Sequence, residues 1–166
     1  MRPRTIWRLI LRLFGLGRRR HREVFAQIVA PANMAAALAR VQRRGRENGA
    51  TDPELASFGA RQLEALRQDL LRGRYRPKSV RHAFVPKAEN GRRRLTLLAL
   101  PDRIAQTAAV QVLTPLLDVE LSPAAYGFRP NRSLADALER VQELRRSGLG
   151  WVVDADVESC FERIRH

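Results

Sequence analysis

The sequence predicts an α+β fold, with helices gathered around short β-elements. Three observations carry this expectation. Apolar residues recur at helical spacing through most of the chain, Asn90-Gly91 separates two short apolar runs, and a compact apolar stretch covers residues 151–157. At 166 residues, 45% hydrophobic and 29% charged, the chain has the size and composition of one globular domain rather than of a disordered segment. A single cysteine, Cys160, excludes a disulfide framework and a cysteine-based zinc site. His21, His82 and His166 are too scattered for metal-ligand spacing. No P-loop, dinucleotide-binding glycine pattern or Gly-x-Ser-x-Gly elbow is present.

Residues 1–22 read as a basic amphipathic leader. Trp7, Ile10, Leu11 and Phe14 share one helical face, while Arg8 and Arg12 break the apolar run. The run is far short of the ~20 apolar residues that span a bilayer, and no small-residue cleavage site follows it. A cytoplasmic chain with no transmembrane segment is therefore expected. A helix packing on the body, an extension with little structure and attachment to a membrane surface all suit such a leader.

From residue 23 to about residue 44, Phe25, Ile28, Met34, Ala37, Leu38 and Val41 predict one or two helices broken near Pro31. RRGRENGATDP reads as a loop. Asp52 is an expected N-cap with Pro53 in the first helical position, and Leu55, Phe58, Leu66 and Leu70 carry that helix to Gly73, an expected C′ residue. Runs 80–86 and 93–100 then flank Asn90-Gly91, a hairpin signal, with Lys87, Arg92, Arg93 and Arg94 near its tip. Pro86 places its strand at an edge or at a strand end. After Pro101-Asp102, Ala105, Ala109, Val112, Leu113 and Leu116 predict a helix that Pro115 should kink or end. Ser133 and Asp136 fit a capping box with Asp in place of Glu or Gln. Leu134, Leu138, Val141 and Leu144 continue that helix to Gly148, and residues 151–157 are the best candidate for a buried strand.

The net charge is +14, unevenly spread. Residues 1–50 carry 12 basic and 2 acidic groups, residues 51–100 carry 11 and 5, and residues 101–166 carry 8 and 10. A cationic front leading to a mildly acidic end suggests a polyanion-binding surface beside a region where carboxylates act. Of the 31 basic residues, 29 are Arg; this suits phosphate recognition and equally suits a GC-rich genome. Nucleic acid is the expected polyanion.

Strand alternation over residues 151–157 puts Asp154 and Asp156 on one side. Two carboxylates ending an apolar strand either sit wet at its end or hold a hard cation such as Mg²⁺ together with substrate phosphates. The basic hairpin either clamps a triphosphate or nucleic acid backbone or is a solvated edge guarded by charge. Together, the two suggest phosphoryl transfer.

In order along the chain stand YRPKSVRHAFVPK, NGRRRL, DRIAQTAAVQVLTPLL, YGFRPNRS and WVVDADVESCF. With these pieces, residues 25–166 resemble bacterial reverse transcriptases of the group II intron type and their CRISPR-associated relatives. The resemblance implies a right-hand polymerase fingers subdomain over residues 23–150 and the first catalytic palm strand over 151–166, incomplete. It implies that Lys87 and Arg93 hold the triphosphate of the incoming dNTP, that Tyr126, Phe128 and Arg129 belong to the turn beside nucleotide and template, and that Phe161 stacks under the sugar. Asp156 would be the catalytic aspartate, binding Mg²⁺ (or Mn²⁺) along with the backbone carbonyl of Val157. Asp154 matches a variable position. Arg92, Arg94 and Arg132 would meet nucleic acid. Implied partners are an RNA template, a DNA primer and dNTP, with intron RNA or CRISPR adaptation proteins beyond them.

Two departures stand out. Arg93-Arg94-Leu95-Thr96-Leu97-Leu98 replaces the usual R-P-L-G-I-P. No Tyr-x-Asp-Asp turn or thumb follows before His166, so the isolated chain is expected to be inactive as a polymerase, with the C-terminal half missing. A non-catalytic, maturase-like RNA-binding module and a degenerate remnant are the alternatives.

Overall fold

The computed structural model describes residues 18–47, 53–87, 91–157 and 163. It is α+β, with six helices and a two-stranded antiparallel sheet among those residues. The chain forms two units, Met1–Leu116 and Leu117–His166. Their boundary falls inside a helix, one residue beyond Pro115. Residues 1–17 of the expected leader lie outside the described residues, and a helix runs through its expected end at residue 22.

The first unit is built from helices α1 (Arg18–Ile28), α2 (Pro31–Glu47), α3 (Pro53–Ser57), α4 (Ala60–Leu71) and most of α5 (Leu100–Asp118), with strands β1 (Arg81–Lys87) and β2 (Gly91–Leu97) between α4 and α5. The expected break falls at Val29 and Ala30, and Pro31 opens α2, where its missing N–H costs nothing. The core takes Ile28 from α1, Met34, Ala37 and Val41 from α2, Leu55 and Phe58 from around α3, Leu66 from α4, and Leu100, Ile104 and Ala108 from α5. Burial of each large aliphatic side chain stabilises the unit by about 1.5–3 kcal/mol. Asn33 joins three helices: its amide donates to Ile28 O of α1 (2.8 Å) and Ala108 O of α5 (3.0 Å), and its Oδ1 accepts from Gln111 Nε2 (2.8 Å).

Three sequence expectations for this unit are corrected and a fourth is narrowed. Residues 43–47 are helical rather than loop, because Gly45 lets Leu55 lie so close that a β-carbon there would stand 2.5 Å from Leu55 Cδ2. The helix expected to run from Pro53 to Gly73 is broken at Phe58 and Gly59, where Gln62 accepts from the Gly59 N–H and donates to Ser57 O. The buried stripe of α5 is Leu100, Ile104 and Ala108; Ala109, Val112 and Leu113 flank it, and Leu116 is exposed. Of the two outcomes expected of Pro115, the end is not seen: α5 continues through it to Asp118.

Gly73 closes α4 at φ +64° in a Schellman motif, with Gly73 N–H donating to Leu70 O and Arg74 N–H to Asp69 O. The expected Asp52 cap lies outside the described residues.

The second unit holds a turn-rich stretch and α6 (Leu134–Arg146). The capping box forms as its spacing predicts: Ser133 N–H donates to Asp136 Oδ2 (2.6 Å) and Asp136 N–H to Ser133 Oγ (3.2 Å). The Ser133 hydroxyl, donating to Asp136 Oδ2 at 2.7 Å, and with it the Ser133 N–H hold the Asp136 carboxyl below the usual range. Gly148, at φ +98°, closes the helix with a second Schellman motif. No residue of α6 is buried. Residues 151–157 are not the expected buried strand: they belong to no sheet and are exposed, Trp151 at 97%. A strand is stabilised by ladder partners and a covered face, and no described residue supplies either.

Candidate nucleic-acid interface

The hairpin pairs Arg81 with Leu97, His82 with Thr96, Ala83 with Leu95, Phe84 with Arg94, Val85 with Arg93, Pro86 with Arg92 and Lys87 with Gly91. Because side chains alternate across a strand, this register sorts the cations. Positions 81, 83, 85, 87, 91, 93, 95 and 97 form one face, which therefore carries Arg81, Lys87 and Arg93. Positions 82, 84, 86, 92, 94 and 96 form the other, which carries Arg92 and Arg94 beside Phe84. Neither strand contains a carboxylate. Pro86 sits one residue from the end of β1, consistent with its lack of a donor.

Asp102, in the first turn of α5, fastens the segment leading into the hairpin. Its carboxylate accepts from the Tyr75 hydroxyl and, at 3.1 Å, from Lys78 N–H. Burial pushes the Tyr75 phenol above the ordinary tyrosine range, and the bond to Asp102 adds to the shift.

In the second unit, Arg129 is a clamp. Its Nε donates to Asp118 Oδ1 (2.7 Å), Nη2 to Asp118 O (3.0 Å), and Nη1 to Ser122 O (2.8 Å) and Ala125 O (3.1 Å). Four of the five N–H groups of this guanidinium are thus spent on the protein's own turn. Asp118 is held below the usual carboxylate range by the Arg129 bond, and Arg129 is raised in turn. Beside the clamp, Phe128 takes φ 57° and Asn131 φ 56°, a conformation uncommon for residues other than glycine. The Phe128 ring is fully exposed. Strain carried by an exposed aromatic, held by a satisfied arginine, is the kind found at functional sites. Arg132 lies over the Tyr126 ring at 5.4 Å, at the mouth of a shallow polar cavity of about 250 Å³ that also takes Asp136, Glu139 and Arg140.

Asp156 is exposed, and its Oδ1 accepts from the N–H of Val157 at 2.9 Å. Asp154 is exposed as well. Among the described residues no three His, Cys, Asp or Glu stand together as a metal site. One free carboxylate oxygen suits a magnesium ion that arrives with substrate phosphates and keeps its waters, and not a protein-only cage. Phe161 lies outside the described residues, as do the side chains of Lys87 and Arg93, whose backbones are placed.

Sequence reasoning missed three of these residues. Phe84 could have been found by running the hairpin alternation through β1. Asp102 and Asp118 carry no sequence signal, since their partners are set by the turns they fasten.

No protein-family model matches the chain. Over 110 residues it is 35% identical to Protein YkfC of Escherichia coli, covering 63% of this chain and 29% of that protein. It is 28% identical over 119 residues to the group II intron-encoded protein LtrA of Lactococcus lactis, covering 71% of this chain and 20% of LtrA. It is 29% identical over 118 residues to a COX1/OXI3 intron 1 protein of Saccharomyces cerevisiae, covering 71% of this chain and 14% of that protein. The chain thus spans less than a third of the length of the curated relatives it matches. Among the described residues no single helix is long and apolar enough to cross a membrane. The motifs read in order along the sequence and these matches agree: the chain is related to the group II intron-encoded proteins.

Proposed function

We propose that this chain is the nucleotide- and template-handling part of an intron-type reverse transcriptase, an RNA-directed DNA polymerase of fingers-like architecture. The observation that carries the proposal is the hairpin register, which assigns Lys87 and Arg93 to one face of a ribbon without carboxylates, in a chain related to intron-encoded proteins. Cations gathered on one face, with Arg81 farther along the same face, suit the charge of a triphosphate. In the whole reaction a primer 3′-hydroxyl would attack the α-phosphorus of a dNTP paired with an RNA template and release pyrophosphate.

The contribution of this chain is to bind and to neutralise. In the first unit, Lys87 and Arg93 would take the triphosphate. In the second, Phe128 would offer its ring to a base or sugar, with Tyr126 and Arg132 beside it, and Asp156 would give one carboxylate to Mg²⁺, with Mn²⁺ as a substitute. A divalent ion, when bound, neutralises phosphate charge. Arg129 supports the reading as the residue that fixes the Phe128 turn, with one N–H left for a ligand.

Calorimetric titration of the chain with a dNTP and Mg²⁺ tests the proposal. Lys87→Gln and Arg93→Gln should each weaken binding about tenfold or more, the scale of a lost charge-assisted bond. Unchanged affinity in both variants would overturn the triphosphate assignment.

A non-catalytic, maturase-like reading is favoured by the net charge of +14, with intron RNA as partner. It predicts RNA affinity that falls steeply with salt, is indifferent to Asp156→Ala, and comes without measurable dNTP binding.

A further inference from the structure

Lys87 and Arg93 can take a triphosphate only if the hairpin that carries them is held in place. We propose that Asp102 is a positioning residue for the triphosphate site, fixing the direction in which the hairpin leaves the first unit by bonding the Tyr75 hydroxyl and the Lys78 amide. For what positions 87 and 93 hold, this rests on the triphosphate reading; for how they are held, it rests on the root of the hairpin.

A two-stranded ribbon is stiffened along its length by its ladder, but the ladder fixes the ribbon to nothing else. Among the described residues, none from Arg81 to Leu97 belongs to the core or to the apolar side chains packed on it, and none is buried. The hairpin is therefore held at its root. In the leg that enters it, residues 74–80, every side chain except that of Tyr75 is exposed. Tyr75 packs against the core and gives its hydroxyl to Asp102 Oδ1, while Asp102 Oδ2 accepts from Lys78 N–H at 3.1 Å. The bonds from Arg74 and Tyr75 N–H to Asp69 O fix only the start of that leg. Lys78 lies three residues before Arg81, and Asp102 five after Leu97, the partner of Arg81 in the first rung. Asp102 thus ties the entering leg to the leaving one just below the ladder, from a helix whose Leu100, Ile104 and Ala108 are in the core.

The length of the ribbon makes its root matter. Lys87 stands six residues beyond Arg81, about 20 Å along the strand, so a tilt of about 10° at the root carries position 87 through about 3–4 Å. A charge-assisted hydrogen bond does not survive such a displacement. An acid in the first turn of α5 also serves the helix dipole, but that role needs neither Tyr75 nor Lys78, and both oxygens of Asp102 are spent on them. Burial, with the carboxylate beside it, raises the Tyr75 phenol, so its hydroxyl remains a donor at neutral pH.

Two measurements on the full chain test this. Residual dipolar couplings of the amides of residues 81–97, referred to those of residues 100–116 in α5, read the direction of the hairpin without a ligand, and calorimetric titration with a dNTP and Mg²⁺ reads the consequence. In wild type both sets of couplings should fit one alignment; a hairpin already averaged there overturns the inference. In Asp102→Asn, and in the milder Tyr75→Phe, which keeps the ring and the charge of Asp102, the hairpin couplings should shrink or rotate. Binding of dNTP should weaken about threefold to tenfold in each, the scale of one intramolecular hydrogen bond. In a Lys87→Gln background Tyr75→Phe should cost less than in wild type, because part of its effect runs through that side chain; an equal loss in both backgrounds marks a merely structural effect and overturns the inference. Unchanged couplings or unchanged dNTP affinity in Tyr75→Phe and Asp102→Asn overturn it too, and leave the triphosphate reading standing if Lys87→Gln and Arg93→Gln still weaken binding. Wild-type dNTP binding that is absent, or indifferent to Lys87→Gln and Arg93→Gln, overturns the triphosphate reading and with it the purpose given to Asp102, while the couplings still decide whether Asp102 holds the hairpin.

Discussion

Helix α2 places Met34, Ala37 and Val41 in the core, whereas α6 carries Leu134, Leu138 and Val141 at similar helical spacing and leaves all three in solvent. Both helices are amphipathic, but α2 is held by apolar burial and by the Asn33 amide. The second unit is held by polar devices: the Ser133–Asp136 box, the Gly148 cap and the Arg129 clamp. Periodicity therefore specifies which face of a helix is apolar and does not specify that anything covers it. The same difference sets where stability resides and where substitutions should be felt.

The largest effects belong to the core of the first unit. Ile104 is fully buried against α2 residues and their neighbours, so Ile104→Ala should lower unfolding free energy by about 2–5 kcal/mol, the range for a deleted core aliphatic plus its cavity. Urea denaturation followed by circular dichroism reads this. A cost under about 1 kcal/mol would place Ile104 outside the cooperative core. Next in size is Gly45→Leu. Helix propensity favours the change by a little under about 1 kcal/mol, but the new β-carbon meets Leu55 at once, and overpacking costs about 1–3 kcal/mol. The same denaturation should show a net loss of about 1 kcal/mol, and a gain would show that Leu55 can move aside.

Smaller in reach is the Arg129 clamp. Arg129→Gln removes the ion pair to Asp118 and most of the bonds to Ser122 and Ala125. Hydrogen exchange should quicken across residues 118–131 with no change in residues 28–41. The pH dependence has a definite sign. The folded carboxyl of Asp118 is lowered by Arg129, so its contribution is complete above the unfolded value of about 3.9 and is lost as pH falls through the folded one. Protection of the turn should hold at neutral pH, begin to fall below about pH 4 and show no such step in Arg129→Gln.

What the sequence made legible follows the range of the forces involved. The α2 stripe, the Ser133–Asp136 box, the Gly73 and Gly148 caps and the Asn90-Gly91 hairpin depend on residues within one turn of each other, and all were readable. The Gly59–Gln62 cap is equally local, but Leu55, Phe58, Leu66 and Leu70 together suggest an unbroken helix and mask it. Asn33 was not readable, since its partners Ala108 and Gln111 lie more than 70 positions away. In the candidate site, the sequence gathers Lys87, Arg92, Arg93 and Arg94 at the hairpin tip, and the strand register is needed to say which of these positions share a face. The internal engagement of Arg129 was not legible, because a guanidinium that clamps carbonyls looks in sequence like one that waits for phosphate. Residues 151–157 have the composition of a strand, and composition carries no information on whether a neighbouring strand is present.

The smallest expected effect is the one that tests the difference between the two helices most directly. Leu138 lies mid-way along α6, 54% exposed, and an uncovered leucine contributes little to folding beyond its helix propensity. Leu138→Gln keeps a good helix former at the position, so denaturation should move by no more than about 0.5 kcal/mol, as for other surface substitutions. The equivalent change at Met34, on α2, should unfold the first unit, because it buries an amide without a partner as well as removing apolar packing. A loss above about 1 kcal/mol at Leu138 would mean that α6 is covered in solution, and the contrast between the two helices would then lie in what covers each of them rather than in whether anything does.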